Sequence, residues 1–70
     1  MNELKSTMAG TVFTVDVTAG DEVAQGQAVI VLESMKMEIP VEAEKGGKVK
    51  EVRVDVGDFV NEGDVILTFE

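Results

Sequence analysis

Apolar and polar residues alternate along most of the chain with a period of two. Val15 and Val17 flank Asp16, and residues 52–54 repeat this order. Such alternation is typical of strands with one buried face, and no window of eleven or more residues has the apolar stripe of a helix. The pattern predicts an all-β chain. Strands are predicted at residues 2–6, 11–18, 28–33, 38–43, 48–55 and 65–69, with short strands near Val23 and Val60.

The apolar positions of these strands define a predicted core. Gly20, Gly26, Gly57 and Gly63 lie between strands, where turns are expected. Pro40 has no backbone N–H to donate, so it is expected on an edge strand or at a position without a ladder hydrogen bond. The predicted core residues are Leu4, Val12, Val15, Val17, Val23, Ile30, Leu32, Ile39, Val41, Val49, Val52, Val54, Val60, Leu67 and Phe69.

The sequence contains an internal repeat. A shift of 37 positions aligns residues 8–33 with residues 45–70 and gives nine identities in 26 pairs. Two copies are too few for a solenoid, but they suit one domain whose halves are related by a pseudo-two-fold axis. The identical pairs are Gly10/Gly47, Val12/Val49, Val15/Val52, Val17/Val54, Gly20/Gly57, Asp21/Asp58, Val23/Val60, Gly26/Gly63 and Glu33/Glu70.

The repeat predicts how the chain is laid out. We expect a single domain over residues 1–70, with related halves at residues 1–33 and 38–70. Residues 34–37 then correspond to nothing in the other half except the free chain ends. The symmetry therefore places this connecting segment at the pole opposite the termini.

Composition excludes several kinds of chemistry. The 70 residues include no Cys and no His, which excludes disulfides, thiolate nucleophiles, imidazole bases and the usual zinc sites. Fourteen acidic and six basic residues give a formal net charge of −8, which argues against a nucleic-acid partner. No signal peptide and no apolar run long enough to span a membrane is present, so we expect a cytoplasmic protein without a metal ion or a membrane partner.

The segment between the predicted strands 28–33 and 38–43 departs from ordinary turn chemistry. Strands so close in sequence should form a tight hairpin with Met35 and Lys36 at its tip. Such turns favour Asn, Asp or Gly because they need positive φ, and the segment has none of these. Taken singly, an exposed lysine is usually a solvated charge and a methionine near a strand is usually core. A symmetric Glu-x-Met-Lys-Met-Glu at the midpoint of a duplicated domain instead favours a functional site.

Residues 33–38, Glu-Ser-Met-Lys-Met-Glu, resemble the biotin attachment motif of biotin carboxyl carrier domains in the biotin/lipoyl attachment family, whose core is Ala-Met-Lys-Met. The resemblance implies a flattened β-barrel or sandwich of two four-stranded antiparallel sheets (a barrel-sandwich hybrid), with the modified lysine on a protruding hairpin. Some relatives carry an inserted thumb, but the halves here align without a gap, so no thumb is expected. Further segments that carry the resemblance are residues 8–12, 20–23, 25–27, 46–49 and 57–58.

The resemblance also assigns roles to the hairpin residues. It implies that Lys36 receives biotin through an amide bond to Nζ. Ser34 stands where the family usually has Ala, a small-for-small change, and Ala9 stands where relatives often have Pro. The residues that the resemblance implies for recognition by a biotin protein ligase are Met35, Met37, Glu33, Ser34 and Glu38.

The expected chemistry makes the domain a substrate and a carrier, with no catalytic residues of its own. Attack on a biotinyl adenylate needs a neutral amine, whereas an exposed lysine is mostly protonated at neutral pH. Glu33 and Glu38, if close, would favour the charged form, so activation is assigned to the ligase. By resemblance, the modified domain shuttles carboxybiotin between a biotin carboxylase and a carboxyltransferase on other chains, and we expect it to be monomeric in isolation.

Two alternatives stay open. The first is a lipoyl carrier with lipoate on Lys36, or a domain that accepts both groups. Lipoyl domains usually have Asp before and Ala after the lysine, so Met35 and Met37 favour biotin. The second is an unmodified interaction module or a Schiff-base enzyme, and such an enzyme would bury its lysine in an apolar pocket to keep the amine neutral. A lysine on a hairpin tip has no such pocket.

Overall fold

A computed structural model describes residues 2–70 as eight strands joined by short turns. The described residues contain no helical segment that could span a lipid bilayer. The described chain is all-β, as the alternation predicts. The strands are β1 (Asn2–Lys5), β2 (Gly10–Val15), β3 (Glu22–Val23), β4 (Ala28–Ser34), β5 (Met37–Glu42), β6 (Gly47–Val52), β7 (Phe59–Val60) and β8 (Val65–Phe69).

The strands form two four-stranded antiparallel sheets around one core. One sheet has the order β1-β8-β6-β3 and the other has the order β5-β4-β2-β7. Fourteen buried apolar residues from both sheets and their turns form a single cluster, whose burial stabilises the fold without a disulfide. Pro40 lies on the edge strand β5, as its missing N–H predicts. The predicted fold class is confirmed, and the described residues include no inserted thumb.

The repeat in the sequence is also a repeat of structure. A shift of 37 residues carries β1 to β5, β2 to β6, β3 to β7 and β4 to β8, so each sheet is exchanged for the other. The hydrogen bonds repeat as well. The N–H of Gly20 donates to the carbonyl of Val49 at 2.8 Å, and the N–H of Gly57 donates to the carbonyl of Val12 at 2.9 Å. The strand order and these hydrogen bonds therefore recur after 37 residues, as a pseudo-two-fold arrangement of the halves requires.

The repeated Gly-Asp pairs shape the turns that follow β2 and β6. Gly20 and Gly57 both have φ 96°, a left-handed value that glycine adopts without strain. Asp21 and Asp58 each accept a hydrogen bond on Oδ2 from the backbone N–H three residues earlier, at 2.9 Å in both turns. The sequence repeat thus preserves both the backbone freedom and the side-chain bond that these turns need.

Some predicted strands extend beyond the observed ones. β2 ends at Val15 and β6 ends at Val52, three residues earlier than predicted, and β1 ends one residue earlier. Val17 and Val54 are nevertheless buried beyond these ends. In both segments, the next backbone N–H bonds to a turn aspartate instead of to a neighbouring strand. The alternation therefore predicted burial correctly but overestimated the length of the ladder.

The predicted core is corrected at several positions. It omits Val29, Ile66 and Ala43, all of which are buried. Val29 lies in a bulge between Ala28 and Ile30, and Ile66 lies at the equivalent bulge of β8. A bulge adds one residue to a strand, so two neighbours face the same side and the period of two fails. Four residues of the predicted core are only half-buried, because they lie at strand ends or on an edge strand. These are Val15, Ile39, Val52 and Phe69.

Candidate functional site

The segment 34–37 forms a two-residue hairpin turn between β4 and β5. Ser34 and Met37 form the last ladder pair, and Met35 and Lys36 form the tip. Both tip residues have positive φ, 54° for Met35 and 65° for Lys36, as the tightest hairpins require. This conformation costs a residue with a side chain about 1–2 kcal/mol. The prediction of a tight hairpin with this tip is confirmed.

Among residues 2–70, Met35 and Lys36 are the two residues other than glycine that have positive φ. All other positive values among residues 2–70 belong to four glycines in the turns. The β4–β5 ladder holds the tip in this state, because Ile30 and Leu32 of β4 are fully buried and fix the strand below it. Backbone strain that persists at one site is a feature of functional segments.

The side chains of the tip point into solvent. Met35 is 91% exposed and Met37 is 62% exposed, and Lys36 is exposed as well. Methionine is ordinarily a core residue that fills gaps between other apolar side chains. Two exposed methionines beside a strained lysine therefore have no packing role that would explain them.

Lys36 is an exposed residue that takes part in none of the described ion pairs or clefts. Between residues 2 and 70, Arg53 and Glu51 form the one ion pair, at 3.5 Å, and Lys36 joins none. The protein surface has three clefts, of about 340, 380 and 530 Å³, and Lys36 lines none of them. A Schiff-base lysine would instead lie in an apolar pocket. The arrangement suits an amine that is modified by another protein.

The other residues predicted for recognition lie at the base of the tip. Glu33 and Glu38 pair directly across β4 and β5, and both are exposed, while Ser34 is half-buried. The paired carboxylates place two like charges side by side, which is unfavourable for the strand pair alone. The structure thus brings all six predicted site residues to one end of the β4–β5 pair. Their recognition by a ligase stays a prediction.

Gly10 of β2 packs against the base of the hairpin. The sequence analysis did not predict it as a site residue. A Cβ added at Gly10 would lie 3.0 Å from the carbonyl oxygen of Glu33 and 3.3 Å from the Cβ of Leu32. The missing side chain lets β2 pack this close to the base of the hairpin. The available signal was the identity with Gly47, where an added Cβ would lie 3.2 Å from the ring of Phe69.

A small all-β domain that presents one strained, exposed lysine on a hairpin tip has the form expected of a carrier domain, whose chemistry is supplied by a prosthetic group. Comparison with protein families agrees with this class. The family described as "Biotin-requiring enzyme" matches residues 2–69. The chain belongs to this family of biotin/lipoyl attachment domains.

Individual relatives include both small proteins and large enzymes. The Biotin/lipoyl attachment protein of Bacillus subtilis (strain 168) is 60% identical over 60 residues, which are 86% of this chain and 82% of that protein. The mitochondrial propionyl-CoA carboxylase alpha chain of Homo sapiens is 46% identical over 67 residues, which are 96% of this chain but 9% of that protein. A solved single-chain, multi-domain long-chain acyl-CoA carboxylase matches with a TM-score of 0.89 and 34% identity, over 97% of this chain and 7% of that one.

These matches decide several of the expectations from sequence. The predicted family, the predicted fold and biotin as the cofactor are confirmed. The matches support the biotin carrier and give the lipoyl alternative no support of its own. Related carrier domains belong to carboxylases, and the small relative is an attachment protein, which agrees with a non-catalytic role.

Proposed function

We propose that biotin is attached to Lys36 and that the domain carries carboxybiotin between a biotin carboxylase and a carboxyltransferase. The observation that carries this proposal is the hairpin tip, where Lys36 has left-handed backbone between the exposed Met35 and Met37. A turn selected only for stability would have Asn or Gly at its tip. The tip instead keeps three long side chains, all of which are exposed.

The ligation step is an acyl transfer to the amine of Lys36. The neutral Nζ attacks the carbonyl carbon of a biotinyl adenylate, the amide C–N bond forms, and the bond from that carbon to the phosphate oxygen breaks as AMP leaves. Overall, the lysine ammonium loses two protons, and the formal net charge of the chain changes from −8 to −9. The titratable groups closest in sequence are the carboxylates of Glu33 and Glu38, which are weak bases. The ligase must therefore supply the base.

The carrier step uses the domain as a rigid base for a long arm. Biotin supplies the carboxyl-transfer chemistry, and the protein supplies the attachment point. The lysine side chain and biotin together form a tether that visits two active sites in turn, so a high effective concentration replaces tight binding. We place this cycle in the cytoplasm, with the domain itself a monomer.

Co-expression of the chain with a biotin protein ligase, followed by intact mass spectrometry, tests the attachment site. Lys36→Ala should lose the biotinyl mass completely and still fold, because its side chain is exposed. Lys45→Ala is the matched control, since Lys45 is an exposed lysine in the turn between β5 and β6. It should be biotinylated as the wild-type chain is. Biotinylation of Lys36→Ala, or its loss in a folded Lys45→Ala, would contradict the assignment.

A further inference from the structure

The pseudo-two-fold axis provides an internal reference for the surface of the molecule. We name β5-β4-β2-β7 the hairpin sheet and β1-β8-β6-β3 the opposite sheet. Each outward position on one sheet has an equivalent on the other, 37 residues away. Because the backbones are equivalent, a difference in side chain between two such positions is not demanded by the fold.

The outer faces of the two sheets differ in polarity. On the hairpin sheet, Phe13 is 45% exposed and Phe59 is 63% exposed. Their equivalents on the opposite sheet are the charged residues Lys50 and Glu22, which are exposed as well. Apolar side chains therefore collect on the sheet that carries the hairpin. Two further pairs of exposed equivalent positions follow the same trend, with the hairpin sheet first: Thr11 and Lys48, Pro40 and Glu3.

Phe59 belongs to a row of side chains that crosses the hairpin sheet beside the tip. Phe59 pairs with Thr11, Thr11 pairs with Glu33, and Glu33 pairs with Glu38. All four are exposed, and directly opposite residues share a face of a sheet. With strands about 4.8 Å apart, the row is about 14 Å long. It lies one ladder step below the last pair of the hairpin.

We propose that this row, together with Phe13, is a docking surface for the biotin protein ligase that modifies Lys36, an inference that rests on the proposed function. The ligase is the partner that must approach most closely, because it forms a bond at Nζ. Five single bonds place Nζ roughly 6 Å from the Lys36 backbone, so the ligase surface reaches the base of the hairpin. A carboxylase active site meets the far end of a tether that biotin has lengthened, and it need not contact the sheet.

The chemistry of the row defines the ligase surface that fits it. The exposed ring of Phe59 matches an apolar pocket. Glu33 and Glu38 form no ion pair within residues 2–70 and match Lys or Arg side chains. The net charge of −8 would also speed the encounter with a basic surface. The opposite sheet has Glu22 in place of the phenyl ring and Lys48 in place of Thr11, so the same partner surface does not fit there.

Exchange of surface residues for their symmetry equivalents tests the docking surface with side chains that this backbone already accepts. Phe59→Glu installs the residue of position 22, and Phe13→Lys installs the residue of position 50. In steady-state biotinylation by a purified ligase, we expect each variant to raise the KM for the chain at least tenfold. The kcat should stay unchanged. Ala19→Glu is the control, because it adds the same charge at an exposed turn beside the opposite sheet. It should leave KM unchanged.

The outcomes separate this inference from the proposed function. Absence of biotinylation in the wild-type chain would overturn the proposed function itself. Normal biotinylation of both Phe variants at unchanged KM, with circular dichroism showing that they are folded, would overturn the docking surface alone. An unchanged KM together with slower carboxylation of the attached biotin would assign the face to a biotin carboxylase. Dimerisation abolished by Phe59→Glu would assign it to a second copy of this chain, and either result would overturn the proposal.

Discussion

The turns of this domain obtain left-handed backbone in two different ways. Four of them place glycine at the left-handed position, with φ between 85° and 96° and no atom within 4 Å of an added Cβ, and these glycines are Gly20, Gly26, Gly57 and Gly63. The hairpin tip instead uses Met35 and Lys36. In turns that serve only the fold, the left-handed position holds glycine, which adopts this backbone without strain. At the hairpin tip, where side chains must be accessible to a partner, residues with side chains adopt the strained left-handed backbone.

The largest effect is expected when the hairpin is given the turn residues that it lacks. Met35→Asn with Lys36→Gly produces the preferred tip of a tight hairpin. We expect the free energy of unfolding to rise by about 1–2 kcal/mol as the left-handed strain is relieved. Biotinylation should be lost entirely because the amine is gone. Urea unfolding and intact mass spectrometry measure the two effects, and an unchanged unfolding free energy would mean that the native tip is not strained.

The glycine turns provide the opposite test. Gly57→Ala puts a Cβ on a residue with φ 96°, and we expect it to lower the free energy of unfolding by about 1–2 kcal/mol. Gly20→Ala should lose a similar amount, because its φ and its hydrogen bond are equivalent. Neither variant should change the extent of biotinylation. Denaturant unfolding of both variants measures the losses, and a large inequality between them would contradict the energetic equivalence of the halves.

The methionines beside Lys36 are expected to affect recognition more than stability. Met35→Asp with Met37→Ala installs the flanking residues usual in lipoyl domains and retains Lys36. We expect the ratio of biotin to lipoate acceptance to fall about tenfold, which corresponds to about 1.4 kcal/mol. Asp tolerates the left-handed backbone at position 35, so the change should not lower the free energy of unfolding. Competition between a biotin ligase and a lipoate ligase, read by mass, tests this, and an unchanged ratio would show that the methionines do not carry the choice.

The smallest expected effect concerns the aspartates of the glycine turns. Asp58→Ala removes the carboxylate that accepts a hydrogen bond from the N–H of Asp55, an exposed bond of 2.9 Å. We expect a loss of about 0.5–1 kcal/mol, and thermal unfolding should show a Tm lower by a few degrees. Asp58→Asn keeps an acceptor oxygen and serves as the control. Equal losses in the two variants would indicate that the hydrogen bond is not what Asp58 contributes.

Features that depend on local spacing could be predicted from the sequence. The alternation of apolar and polar residues predicted the strands. It also predicted the burial of Val17 and Val54, although both lie beyond the observed strand ends. The 37-residue repeat in the sequence matches the recurrence of strands after 37 residues in the fold. The short distance between β4 and β5 gave the hairpin, since residues 34–37 leave room only for a two-residue tip. Each of these signals lies within a few neighbouring residues or in a direct comparison of two segments.

Features that depend on pairing between distant segments could not be predicted. The bulges that bury Val29 and Ile66 shift the strand register by one residue. The alternation of apolar and polar residues does not indicate where such a shift occurs. The row beside the hairpin depends on the pairing of Thr11 with Phe59, two residues far apart in sequence. Only the fold places Phe59 in one row with Thr11 and Glu33, with Thr11 between the other two. The candidate docking surface is therefore a product of tertiary structure.

Lys36, on a strained hairpin tip, is the residue proposed to carry biotin. Intact mass spectrometry of the chain from a host that contains a biotin protein ligase, with fragmentation to locate the modified residue, is the decisive test of this assignment. We expect the added mass of one biotinyl group, located on Lys36 and on none of the other four lysines. An unmodified chain, the mass of a lipoyl group, or biotin on another lysine would contradict it.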